Sequence, residues 1–405
     1  MNKAVSSGEN SVWMLNPEVT FLNHGSFGSC PRPVLAFQQE LRDRLEREPV
    51  QFLVRELEGL WDNARESMAS FVGAPAEDIV FVQNATAGVN TVLHALDFSP
   101  NDELLVTNQE YNASRNALNV AAEKWGAKIV VAEMPFPVTS EDQVINAILE
   151  KVTPRTRLAL LDHVISQTAL VLPLAKIIRA LNERGVETLI DGAHAPGMIP
   201  LNLSQLGATY YTGNCHKWIC APKTAAFLYV PKEKQRLVRP LVISHGANSP
   251  RTDRSRFLIE FSWMGTWDPS ACLSVSEALR FMNTLHPKGW PGLMARNRDL
   301  ALQAQQLLCD SFHIPLPCPP EMVGSMAAMP LPPCPVDEQS TSPLYRDVLQ
   351  QRLYDEYRIE VPIVPWPKPP AGSAMQPRLI RISAQAYNKL EDYQRLASAL
   401  QNLLR

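Results

Sequence analysis

No stretch of the sequence approaches the roughly 18 consecutive apolar residues that a membrane-spanning helix needs, so no membrane partner is expected. The opening residues, MNKAVSSGENSVW, lack the apolar core of a secretory signal. No basic stripe is present. The 38 Lys and Arg residues stand against 41 Asp and Glu, for a net charge of -3, and nucleic acid is not an expected partner. The seven cysteines are odd in number and scattered, without paired metal-type spacing. Cys215, His216 and Cys220 lie close together, but a second ligand pair is missing, so no metal is expected there. The thiols read as reduced and the location as cytoplasmic. There is no internal repeat. No G-x-G-x-x-G follows the first predicted strand, which counts against a nicotinamide dehydrogenase.

What is present is an ordinary globular composition, 45% hydrophobic and 20% charged, in a chain of 405 residues long enough for two or three domain-sized units. Proline is the exception: 34 residues, clustered in His313 to Pro335 and Val361 to Pro377, which read as rigid loops and strand edges. Between Val34 and Phe71 the apolar residues fall at helical spacing, and Pro49 divides them into two helices. Short apolar runs then alternate with amphipathic ones. The predicted strands are DIVFVQ, ELLVT, KIVVAE, RLALLDHV, VETLID, ATYYTG and AAFLYV. The alternation predicts an α/β fold, a mostly parallel seven-stranded sheet flanked by helices. It is lost from about residue 278. Helical runs near 293–308 and 343–357, a strand pair in IEVPIV and RLIRIS, and a final amphipathic helix predict a smaller α+β C-terminal domain. The expected division is an N-terminal lid segment (1–30), a large domain (31–275) and a small domain (276–405).

In a parallel α/β sheet, ligands sit beyond the carboxyl ends of the strands. The first strand delivers Asn84, Ala85 and Thr86 to a helix start, which is either a plain N-cap or a phosphate site. The second brings Tyr111, a packed aromatic or a ring partner. The strand ending in DHV brings Ser166 and Gln167. VETLID ends on Asp191, either a helix cap or a charge facing a cationic ligand, with His194 three residues on. ATYYTG leads to Lys217, flanked by His216 and Trp218 in TGNCHKWICAP. A lysine there is either a solvated neighbour of a core tryptophan or a desolvated nucleophile. Together, a phosphate cradle, an aromatic, a strand-end aspartate and a pocketed lysine are the set that pyridoxal phosphate requires.

The motifs FLNHGSFGSCP (21–31), DGAHAPG, TGNCHKW and RISAQAYN (381–388) resemble those of fold-type-I pyridoxal phosphate enzymes of the class V aminotransferase superfamily, in the isopenicillin N epimerase-like group that also holds L-cysteine desulfhydrases. The resemblance implies a catalytic Schiff-base lysine at Lys217 and a pyridinium partner at Asp191. It implies that Tyr111 stacks on the ring where the superfamily often has a histidine. His194 and Ser166 would meet the ring hydroxyl. Ala85, Thr86 and His216 would line the phosphate or the ring edge, next to Asn84. Arg381 would bind the substrate carboxylate, Asn23 and His24 would cover the substrate, and Thr266 would reach the cofactor of a second subunit in a homodimer. Expected chemistry is removal of the α-proton from an amino acid, ending in epimerisation, or alternatively in elimination of sulfide from cysteine, and less readily in amino transfer. A persulfide-forming desulfurase is disfavoured, because no cysteine follows Cys334. A non-catalytic binder is disfavoured because the lysine, aspartate and arginine positions are all filled.

Overall fold

A computed structural model of the chain describes residues 12–336, 347–369 and 371–404. The strands, in chain order, are β1 (Thr20–Phe21), β2 (Ile79–Val82), β3 (Glu103–Thr107), β4 (Lys128–Ala132), β5 (Thr156–Asp162), β6 (Glu187–Asp191), β7 (Tyr210–Asn214), β8 (Ala226–Tyr229), β9 (Met326–Pro335), β10 (Ile359–Glu360), β11 (Ile363–Val364) and β12 (Met375–Ser383). Strands β2 to β8 are the seven predicted ones. They form one sheet in the order β2-β8-β7-β6-β5-β3-β4, parallel except for β8, which runs antiparallel to both neighbours.

The sheet is buried on both faces, and the period-two geometry of a strand sorts its side chains between them. Val80, Val82, Leu104, Val106, Leu158, Leu160, Leu189 and Leu228 pack on one side. They meet α4 (Ala85–Ala95), α5 (Asn112–Trp125) and α9 (Arg256–Ser262) through Val89, Leu118 and Phe257. The alternate residues Ile79, Phe81, Leu105, Leu161, Ile190, Tyr211 and Phe227 face the opposite way. There they join Met68 of α3 (Leu57–Val72), Ile148 of α6 (Glu141–Leu149) and Ile177 of α7 (Leu174–Asn182). The apolar runs were continuous because both faces are covered.

Pro49 does separate two helices, α2 (Arg32–Arg47) and α3, but the join is a π-helical turn, Gln51–Glu56. A second sheet, ordered β11-β12-β9, belongs to the C-terminal part with α12 (Gly289–Phe312), α13 (Val348–Tyr357) and α14 (Leu390–Leu403). The predicted helix at 343–357 is seen from Val348, residues 343–346 lying outside the described ones, as do residues 1–11 of the expected lid and Pro370. Strand β9 lies inside the first proline cluster and was not singled out. It is an edge strand, so its prolines interrupt no ladder on their outer side. Among the described residues no helix is long and apolar enough to cross a membrane.

The carboxyl ends of β2, β3, β5, β6 and β7 open on one edge of the main sheet. The 215–225 connection from β7 to β8 lies across that edge, with Asn214 paired to Ala226 at its base.

Candidate active site

Lys217 sits in this connection. Its main chain is held by close approach rather than by side-chain bulk. Gly28 has φ +69, and a Cβ there would lie 2.1 Å from the His216 carbonyl oxygen. Gly197 has φ +85, and a Cβ there would lie 2.7 Å from the Trp218 carbonyl carbon. Both positions need glycine for space and for backbone conformation. Cys220 and Thr224 in the same connection also take positive φ, 62° and 71°, a conformation unfavourable for a β-branched threonine and sustained by the surrounding packing.

The Lys217 side chain is partly buried, and Nζ lies 2.9 Å from His194 Nε2. The other nitrogen of that ring, Nδ1, faces the indole N–H of fully buried Trp218 at 3.5 Å. An indole N–H can only donate, which assigns the His194 proton to Nε2, where it is offered to the lysine amine. Burial, then the charges of Lys217 and Arg381, hold the His194 ring well below its usual range. Burial, then the Arg381 charge, lowers Lys217 to about 7, against the opposing pull of Asp191 and Asp162. Its amine therefore loses its proton near neutral pH, giving the form that attacks a carbonyl or takes a proton.

Asp191 ends β6 and is buried. Its Oδ2 accepts from Ser114 Oγ at 2.7 Å and its Oδ1 from the Ala193 N–H at 3.0 Å. Burial raises its pKa, and these two donors and Lys217 oppose the rise. Asn84 caps α4 through Ala87, and the Ala85 N–H is already taken by Asn214 Oδ1 at 2.8 Å. No described residue occupies the Thr86 hydroxyl, which leaves it as the open group at this helix start. His216 is partly buried, with Nδ1 3.1 Å from the Ala225 carbonyl oxygen; burial lowers it to about 4. Tyr111 stands at the N-terminus of α5, 42% exposed, and its phenol is close enough to act electrostatically on Arg381.

Arg381 of β12 is buried. It donates to the Ser166 carbonyl, to Ser166 Oγ at 3.2 Å and to Ser26 Oγ at 2.9 Å, while its Nε has no partner among the described residues. Ser26 in turn donates to Asn23 Oδ1, and Asn23 Nδ2 donates to Glu360. The N-terminal segment therefore reaches the arginine through Ser26. His24 does not face the same space. It is fully buried, Nε2 lies 3.0 Å from the Lys217 carbonyl oxygen, and Nδ1 lies 2.8 Å from the Tyr387 hydroxyl. Burial holds it neutral, lowering it to about 3. With both nitrogens engaged it ties the lysine connection to the C-terminal part, in place of the substrate contact expected for it. Thr266 is exposed between α9 and α10 (Ser270–Leu273).

The sequence reading did not single out Ser114, Ser26, Asn214, Glu110 or Asp162. Ser114 stands three residues beyond Tyr111, so the helix start that delivers the aromatic also delivers a hydroxyl. The others carry no local signal.

Residues 37–315 match the family model described as aminotransferase class-V. The chain belongs to that family. Its cofactor is pyridoxal 5'-phosphate, and the residues present fit it: a lysine whose pKa burial lowers to about 7, a buried carboxylate held by two donors, an open helix-start hydroxyl and an arginine whose Nε has no partner among the described residues. Among class V relatives, the chain is 33% identical to a protein named probable L-cysteine desulfhydrase, chloroplastic, of Arabidopsis thaliana, over 96% of this chain and 84% of that one. It is 34% identical to isopenicillin N epimerase of Amycolatopsis lactamdurans, over 96% of each. A solved complex of the cystine C-S lyase C-DES with cysteine persulfide superposes with a TM-score of 0.76, 20% identity, and coverage of 95% and 97%. A cysteine desulfurase from Thermococcus onnurineus gives 0.76 at 18% identity, over 95% and 94%. The two structures share the fold-type-I architecture predicted above.

Proposed function

We propose that this class V enzyme removes the α-proton of an amino acid, with Lys217 as the base. The observation that carries the reading is the 2.9 Å pairing of Lys217 Nζ with a neutral His194, on the same strand edge as Asp191 and within reach of the charge of Arg381 on β12. Pyridoxal phosphate, when bound, supplies the sink for the electron pair left at Cα. The remaining work falls to the chain. Asp191 would keep the ring nitrogen protonated. Thr86 and the α4 start would take the phosphate, with Ala85 and Asn84 shaping the turn and His216 beside it. Tyr111 would cover one ring face, and His194 and Ser166 the ring hydroxyl. Arg381 would exchange its Ser26 and Ser166 contacts for the substrate carboxylate, while Asn23 and Ser26 close over it. Thr266, exposed in the single chain, would act across a homodimer. The division at residues 30 and 275 and a cytoplasmic setting belong to the same proposal.

The outcome we favour is epimerisation. It needs a proton donor on the face opposite Lys217, and Tyr111 supplies a half-exposed phenol at the mouth. The second reading is sulfide-releasing elimination from L-cysteine, supported by the desulfhydrase relatives. A persulfide route lacks its nucleophile, since no cysteine stands between Cys334 and Arg381. The test is incubation in deuterated water with L-cysteine and with amino acids that have no β-leaving group. Solvent deuterium at Cα with inversion is the expected result. Sulfide and pyruvate from cysteine, without inversion of any other amino acid, would reverse the order. Rapid exchange of amino groups between amino and keto acids would defeat both.

Arg381→Ala should raise KM by about 10²-fold, the usual scale for losing a charge-assisted bidentate partner, and leave the spectrum of bound cofactor unchanged. Arg381→Lys should recover little of this, because a point charge does not reproduce the planar fork. Equal reactivity of the wild type toward amines lacking a carboxylate would remove the role.

A further inference from the structure

The proposed chemistry uses one carboxylate at the strand edge, but the fold buries a cluster of three there. Glu110, Asp162 and Asp191 are all buried, and one oxygen from each lies within 4.8 Å of the others. They come from the connection after β3 and the ends of β5 and β6. Their donors are unequal. Asp191 accepts two hydrogen bonds, from Ser114 and Ala193. Asp162 accepts one, from the Tyr111 N–H at 3.2 Å. Glu110 is 6% exposed, and neither of its carboxyl oxygens has a partner among the described residues.

Three anions at this separation, out of water, cannot all persist, because each disfavours the ionised form of the others. The cations nearby do not balance them. Lys217 faces Asp162 and Asp191 and loses its charge when it acts as an amine. Arg115 on α5 faces Glu110, but its Nε is committed to Asn119 on an exposed surface. The carboxyl that keeps its proton is the one least supported as an anion: the nearest N–H, that of Tyr111, is bonded to Asp162 and only weakly opposes the rise. That group is Glu110.

We propose that Glu110 is a positioning residue: a neutral carboxylic acid whose O–H is directed at the Asp162–Asp191 pair, so that Asp191 is the anion left for the cofactor's ring nitrogen. Burial and the two neighbouring carboxylates both push Glu110 in this direction. The arrangement also explains why the residue before Tyr111 is acidic. The same turn places the ring-facing aromatic, anchors Asp162 through the Tyr111 N–H, and carries the proton that lets the aspartates approach each other. This role rests on Asp191 being the ring partner, but the location of the proton can be measured separately.

The measurement is infrared spectroscopy of the full chain freed of cofactor, at neutral to mildly alkaline pH. Wild type should show the carbonyl band of a protonated carboxylic acid. Isotope-labelled glutamate should shift it, labelled aspartate should not, and Glu110→Gln should abolish it. Because an amide keeps a donor at the same place, Glu110→Gln should bind pyridoxal phosphate within about three-fold of wild type. Labelling in the wild type keeps the test valid should the variant not fold. No acid band, or a band that follows the aspartate label, would overturn the proposal. So would stoichiometric divalent metal whose chelation makes the band appear, since the cluster would then be a cation site. If the glutamate band is present but Asp191→Asn turns over normally, the ring-partner reading fails while the proton on Glu110 stands.

Discussion

Lys217→Ala leaves a folded protein that no longer holds pyridoxal phosphate covalently, and its turnover falls by about 10⁴-fold or more, the upper range for losing a positioned base together with a nucleophile. Folding survives because the connection is held by its main chain. His24 meets the Lys217 carbonyl, and Gly28 and Gly197 pack against the backbone on either side. The lost side chain made one polar contact, to His194, and its amine was kept from its normal charge by burial. The check is borohydride reduction of the loaded protein followed by peptide mapping. Wild type should carry the reduced cofactor on Lys217 and the variant on no residue; a reduced adduct on another lysine in the variant would end the assignment. Attachment should also depend on pH in a defined sense. The reactive form is the free amine and the group sits at about 7, so the attachment rate of wild type should rise with pH and level off above that value. A rise continuing to the normal range of an exposed lysine would show that the pocket does not desolvate Lys217.

Asp191→Asn should retain the cofactor on Lys217 but slow turnover by about 10²-fold or more, the scale for removing one preorganised charge from a buried site. The amide can still accept from Ala193 and remain near Ser114, so the fold should hold. What disappears is the negative charge that keeps a ring nitrogen protonated, and with it the electron sink. Steady-state kinetics, with the absorbance of bound cofactor as a check on loading, separate this from a loss of binding. Near wild-type turnover would reduce Asp191 to a cap on the loop that follows β6.

Much of this site was legible in the chain because each candidate follows an apolar run that the pattern marks as a strand. Asp191 ends β6, Ser166 and Lys217 lie a few residues beyond β5 and β7, and Asn84 to Thr86 come just after β2. Residues at the carboxyl ends of parallel strands share an edge whatever the strand order, so their convergence follows from the fold class. Other features depended on where a residue's polar partners lie. Ala85 was read as lining the phosphate, yet its N–H is bonded to Asn214 at the carboxyl end of β7. His24 was read as a cover for the substrate, yet it is buried against the backbone of a residue 193 positions away.

The sequence by itself determined the seven strands, the helices that alternate with them and the lysine and aspartate near their ends, because short apolar runs and helical spacing are local properties written into neighbouring residues. Tertiary structure alone decided which strand ends lie side by side. The order β2-β8-β7-β6-β5-β3-β4 is not the order of the chain; it places β5 between β3 and β6, and so brings Glu110, Asp162 and Asp191 within 4.8 Å of one another. It decided that β12 would carry Arg381 to Ser166 across 215 positions, and that Ser26 would complete that contact. It decided that a run of prolines would form the edge strand β9, whose outer side needs no partner. These are packing outcomes, fixed by how two covered sheet faces and a second small sheet fill space together, and no local spacing encodes them.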